Sequence, residues 1–261
     1  HWQRHHRDFD YVAHFNHYYR PLAARNIAAD VISADAPLDG YKLVIAPALL
    51  ILNESRVTQL RDFVARGGHL VLTIRCGMKD DYNALLPSRQ PGPLADLAGV
   101  EVEEYYALLD PVPVFSKWFT GTSRLWAERL KVRDEAGTQV IARYGESNGW
   151  LEDHPAVTVH SYGQGRVIFV GAYLDVVSQQ SLLDSVVAAA GVEAVMETPA
   201  GVEARKRVNA AGEEIFIVIN HARVEQLVRL PWPAREHLSG QSLVDELRLA
   251  PYGVAVLTPS T

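Results

Sequence analysis

Cys76 is the single cysteine of the chain, and it follows an apolar run in the order Ile74, Arg75, Cys76, Gly77, Met78. A thiol on a sharp strand-to-loop turn, beside a glycine and ringed by backbone N–H groups, can attack an acyl carbon while the amides stabilise the oxyanion. Two features weaken that chemistry. Position 74 is isoleucine, where such an elbow calls for glycine, and a polar loop follows instead of a helix. His154 and His160 are the candidate bases, and no spacing ties either to Cys76. The pattern favours a small, half-buried structural thiol, with an amidase or hydrolase using Cys76 as the alternative.

Five of the ten histidines fall in the first seventeen residues: His1, His5, His6, His14 and His17. His14 and His17 are three apart on a helical pattern, close enough to share a metal. No cysteine joins them and no carboxylate lies at a metal-motif spacing, so a solvated polar helix face is expected. The adjacent carboxylates Glu103/Glu104, Asp80/Asp81 and Glu213/Glu214 read as solvated edges. Glycosidic cleavage needs two carboxyls about 5 to 9.5 Å apart across one cleft, and neighbours on a strand point to opposite faces, so Glu103/Glu104 is not such a pair. Trp118, Phe119 and Trp126, with Trp150 beyond, are suited to sugar stacking or a subunit interface, or to plain packing. The chain has no GxGxxG, GxxxxGK[ST] or HExxH, so no cofactor and no metal are expected.

The elements that position these residues sit in a chain of 261 residues, enough for two domains. Lys+Arg total 25 against Asp+Glu 31, a net charge of −6, which argues against nucleic acid or an anionic membrane as partner. No run of about 18 apolar residues is present and the start lacks the pattern of a signal peptide, so a cytoplasmic protein is expected. The single cysteine fits a reducing compartment.

A helix is expected over 9–26, with Pro21 kinking it or marking its last turn. Strands over 30–33, 42–50 and 69–74, with a helix begun by Asn53 and closed by Gly67 and Gly68, give the rhythm of a layered parallel α/β sheet. The chain enters that layer on a polar stretch and a helix, so its first strand is expected to be cut away or to lie in sequence outside these residues. Residues 78–90 read as a loop and 91–97 as a short helix. Strands are expected over 100–105, 112–115, 139–144, 156–160 and 166–171, the last two joined by a turn at 161–165, and a helix over 178–190. From 191 onward short strands at 202–207, 214–220, 226–230, 242–243, 246–249 and 253–257 suggest a small antiparallel β module, in which Trp232 or Tyr252 could stack on sugar.

Several stretches, in order, resemble the C-terminal part of glycoside hydrolase family 42 β-galactosidases: 17–33 (HYYRPLAARNIAADVIS), 41–49, 67–73, 91–105 (PGPLADLAGVEVEEY), 125–130 (LWAERL), 140–144, 163–175 (GQGRVIFVGAYLD), 219–222 and 249–257. The resemblance implies a glutaminase-like (flavodoxin-like) α/β trimerisation domain over 1–191, lacking its first strand, and a C-terminal β domain over 192–261. It also implies that the two catalytic glutamates belong to an N-terminal (β/α)₈ barrel that this sequence does not match. No residue here then inherits a catalytic role, and Cys76 is a vestigial elbow. The implied partner is the chain itself, as a homotrimer, alongside a catalytic barrel. Interface candidates are the loop residues Asp80, Asp81 and Tyr82 and the aromatics Trp118, Phe119 and Trp126.

Overall fold

The computed structural model describes residues 7–147 and 149–260. Two compact units emerge, one comprising the residues up to Tyr18 with Ile32–Val192, the other Tyr19–Val31 with Glu193–Thr261. The segment 19–31 thus belongs with the C-terminal residues, which an interface cut at 191 alone does not describe.

The large unit runs α1 (Tyr11–Ala24, whose last turns belong to the second unit), β1 (Leu43–Ala46), α2 (Glu54–Ala65), β2 (His69–Thr73), α3 (Ala95–Ala98), β3 (Val100–Ala107), β4 (Val112–Ser116), β5 (Thr120–Val132), β6 (Thr138–Tyr144), β7 (Pro155–Tyr162), β8 (Gly165–Val170), β9 (Ala172–Leu174) and α4 (Val176–Ala189). Its sheet follows the order β1-β2-β8-β7-β6-β4-β5-β3, with β9 paired to β5. Only β1, β2 and β8 are parallel neighbours, and the remaining pairs are antiparallel. This corrects the expectation of a parallel sheet: the layer is mixed, because the chain after α3 returns by hairpins instead of helical crossovers.

Helices cover both faces of the parallel part. Val57, Leu60, Phe63 and Val64 of α2 and Leu97 of α3 bury Leu70, Leu72, Val167 and Phe169 on one side. On the other, Leu182, Leu183 and Val186 of α4 and Tyr18 of α1 cover Val71, Ile168 and Val170. Asn53 begins α2 by accepting the Arg56 N–H at 2.9 Å, and Asp175 begins α4 by accepting those of Val177 and Ser178. The β7–β8 turn is tight, with Gly163 at φ +57°, a conformation glycine adopts freely.

Three expectations fail locally. Residues 30–33 form no strand, since Val31 and Ile32 point to solvent at 66% and 41% exposure. The strand expected over 42–50 stops at Ala46, because Pro47 offers no N–H to a ladder and Ala48 turns to φ +44°. The longest strand, β5, is missing from the sequence reading. Its polar start (Thr120, Gly121, Thr122, Ser123, Arg124) imitates a turn, and Leu125 at φ +61° breaks its alternation.

The second unit is antiparallel, as its spacing predicts: β10 (Val202–Val208), β11 (Glu214–Asn220), β16 (Val254–Pro259), β13 (Ala234–Glu236) and β14 (Ser242–Leu243) form one sheet in that order, and β12 (Gln226–Arg229) pairs with β15 (Glu246–Leu249). Strand β13 is an addition to the sequence reading. Asn26, at φ +54°, stitches the segment 19–31 into this unit: its Nδ2 donates to the Met196 carbonyl (3.1 Å) and to Thr198 Oγ1 (2.7 Å), and its Oδ1 accepts the Ala204 N–H (2.8 Å). No described helix is long and apolar enough to cross a membrane.

Candidate functional site

Open α/β sheets place their chemistry beyond the carboxyl ends of the parallel strands. Here that location holds the turn after β2. The left-handed residue of the turn is Arg75, at φ +65°, one position before the cysteine singled out by sequence. Gly77 follows at φ +66°, and a side chain there would run into the Pro91 backbone. Cys76 has no exposed surface, and burial, with Glu128 nearby, pushes its thiol far above the usual range. A sealed thiol held protonated by burial fits the structural role and speaks against a Cys76 nucleophile. His160 pairs with Val167, which itself pairs with Leu70 in the body of β2, so it lies back along the sheet from the turn that holds Cys76. Its ring bonds Thr138 Oγ1 at 2.9 Å instead.

In place of a nucleophile the site holds a buried polar cluster. Glu128, wholly buried on β5, accepts the Arg75 backbone N–H at 2.7 Å and the Trp126 indole N–H at 3.1 Å through Oε1. Burial raises its carboxyl to about 7 despite these bonds. The Tyr144 hydroxyl donates to the Gly171 carbonyl at 2.7 Å, beside the Glu128 backbone. The Arg75 guanidinium lies 4.7 Å from the Phe9 ring centroid and 5.2 Å from that of Trp126, and the Tyr105 ring stacks on Trp126 at 5.0 Å. Phe9, Ala48, Ile74 and Trp126 form one apolar cluster with Tyr173 packed against it, so the crevice is filled by the protein's own side chains.

His14 and His17 do not form a solvated face. His14 is 1% exposed, bonds Thr73 Oγ1 at 3.1 Å, and is held neutral by burial, with His17 and Arg75 adding to a pKa of about 3. His17 stacks on Tyr173 at 5.2 Å and bonds the Leu174 carbonyl at 2.9 Å. Among the described residues no three metal-ligating side chains converge. His1, His5 and His6 lie outside the described residues. Glu103 is paired with Arg129 (3.3 Å) across the β3–β5 ladder.

The interface candidates divide. Trp126 is fully buried and Phe119 is 8% exposed, so neither presents a ring to a partner, and both are withdrawn as surface contacts. Phe119 packs into the cluster that includes Leu182 and Leu183 of α4, and Trp126 into that of Phe9 and Ile74, so each ring is taken up by a different part of the core. Trp118 is 37% exposed, with the Lys117 ammonium 5.3 Å above its ring. Tyr82 is 92% exposed at the tip of an ordered loop. Asp80 Oδ1 accepts the Tyr82 and Ala84 N–H groups at 2.9 Å each, and Asp81 accepts from Asn53 Nδ2 at 3.0 Å, joining the loop to the start of α2. Leu109, Phe115 of β4 and Trp150 are also exposed, at 95%, 51% and 56%. In the second unit Trp232 packs on Phe216 at 4.7 Å and is no open platform, while Tyr252 is exposed with its hydroxyl accepting from Arg223 at 3.2 Å.

Comparison with known proteins follows the two parts of the chain. Residues 1–193 match the family described as the β-galactosidase trimerisation domain, and 201–259 the β-galactosidase C-terminal domain. β-Galactosidase BglY of Alicyclobacillus acidocaldarius is 36% identical over 251 residues, covering 93% of this chain and 36% of its own length. BgaB of a Geobacillus species is 32% identical over 261 residues, covering 97% and 37%. Among solved structures, the β-galactosidase of Bacillus circulans sp. alkalophilus superposes with a TM-score of 0.90 at 25% identity over 97% of this chain, and that of Halorubrum lacusprofundi with 0.82 at 31% over 99%. The chain spans little more than a third of the length of these relatives. It belongs to the glycoside hydrolase family 42 β-galactosidases, matching their trimerisation and C-terminal domains.

Proposed function

We propose that these 261 residues are the assembly part of a β-galactosidase: the large unit forms a homotrimer that holds catalytic (β/α)₈ barrels around a threefold axis, in a cytoplasmic enzyme of carbohydrate metabolism that cleaves terminal β-galactosides. The match of residues 1–193 to a trimerisation domain carries this reading. The filled crevice and the sealed Cys76 support it, since neither leaves a place for chemistry. The α/β half of the mixed sheet, with its elbow after β2, is read as a glutaminase-like layer whose elbow has lost its nucleophile. The threefold contact is assigned to the loop carrying Asp80, Asp81 and Tyr82 and to the turn carrying Trp118, because an ordered, projecting aromatic loses little entropy on association.

The function is tested by joining this chain to the barrel of a family relative whose own two later domains have been removed. A trimeric, active chimera is expected, while the barrel alone stays unassembled. A chimera that folds, as judged by circular dichroism, and remains monomeric overturns the reading.

A further inference from the structure

The carboxyl of Glu128 is wholly buried, yet only one of its oxygens is partnered: Oε1 takes the Arg75 and Trp126 N–H groups, and Oε2 is buried without a hydrogen bond. The bond to Arg75 fixes a non-glycine residue in the left-handed region, so the shape of the elbow depends on this carboxyl. The Arg75 side chain in turn lies against Phe9, the residue that leads into α1, and Phe9 shares one apolar cluster with Ile74 and Trp126. A chain of direct contacts therefore runs from Glu128 through Arg75 to the start of the described residues.

We propose that Glu128 is a proton-dependent latch for the segment entering α1: the neutral carboxyl lets the Arg75 elbow and Phe9 close over it, and ionisation loosens both. A neutral acid suits an apolar surround, whereas a carboxylate with a bare oxygen draws in water. The groups facing it decide whether its charge is balanced. From the turn after β2 come Arg75, which supplies positive charge, and the Cys76 thiol; from β6 comes the Tyr144 hydroxyl; Tyr105 of β3 and His14 of α1 lie near Arg75, and Tyr173 of β9 packs on His14. Burial keeps the thiol, the Tyr144 hydroxyl and His14 neutral, so none of them compensates an ionised Glu128. Burial also works against the charge on Arg75. With the carboxyl lifted to about 7, the latch responds in the neutral range.

Hydrogen exchange of the full 261-residue chain, read at pH 5.5 and 8.5 and corrected for chemical exchange, tests this. If opening returns the carboxyl from about 7 to its ordinary 4.5, local opening at pH 8.5 exceeds that at pH 5.5 by about thirtyfold. Peptides spanning 9–19 and 73–78 are expected to lose that much protection in the wild type, and Glu128→Gln is expected to abolish the pH dependence. Equal wild-type protection at both pH values, or the same loss in Glu128→Gln, overturns the latch. Should Glu128→Gln fail to fold, ¹³C-carboxyl titration of the wild type decides: a carboxyl titrating near 7 supports the proposal, and all carboxyls titrating below 5.5 overturn it.

Discussion

At the scale of single residues, protonation separates Glu128 from Glu236. Glu128 has a folded-state pKa above its unfolded value, so the folded state binds the extra proton and stability declines as pH rises from about 4.5 to about 7. The whole shift corresponds to roughly 3 kcal/mol as an upper bound. Urea titrations at pH 5 and pH 8 are expected to show the large unit weaker at pH 8, and Glu128→Gln to show little difference. Glu236 behaves oppositely. Burial works against its charge, but the Ser239 side chain and the Leu238, Ser239 and Val256 N–H groups outweigh it and hold the carboxyl at about 2, so its contribution is full above 4.5 and fades as pH falls towards 2. Cys76 makes a further prediction at this scale. Alkylation at pH 8 is expected to be undetectable in the folded protein over hours and rapid in urea, and fast labelling of the native state would contradict the sealed turn.

At the scale of elements, polar side chains at chain reversals fasten segments together. Asn53→Ala removes the cap of α2 and the tie to Asp81 and is expected to cost about 1 kcal/mol in chemical denaturation. Asn26→Ala leaves buried groups on Met196 and Ala204 unpartnered and is expected to cost about 3 kcal/mol, localised to the second unit by hydrogen exchange over 19–31. These elements also show how much was legible in advance. Helix α2 announced itself through Asn53, its apolar spacing and Gly67–Gly68, and the β7–β8 turn through Gly163, because local chemistry decides both. Strand β5 did not, since the irregularity around Leu125 falls where it pairs with β9, a partner distant in sequence. The same limit explains the site: Cys76 stood out by rarity, whereas Arg75, Trp126 and Glu128 gain meaning only when β5 is laid beside the end of β2.

At the scale of the whole molecule, a large mixed sheet with a filled crevice, joined in sequence to a small β unit, suits a role in assembly more than in catalysis. On the proposed assembly the projecting Tyr82 and the partly exposed Trp118 would be the anchors, and Tyr82→Ala or Trp118→Ala is expected to weaken association about tenfold each without changing the circular dichroism spectrum. The central claim is association of the chain with itself. Its most direct test is the solution mass at tens of micromolar by light scattering: three times 28.9 kDa is predicted, and a mass of 28.9 kDa across that range would contradict the account.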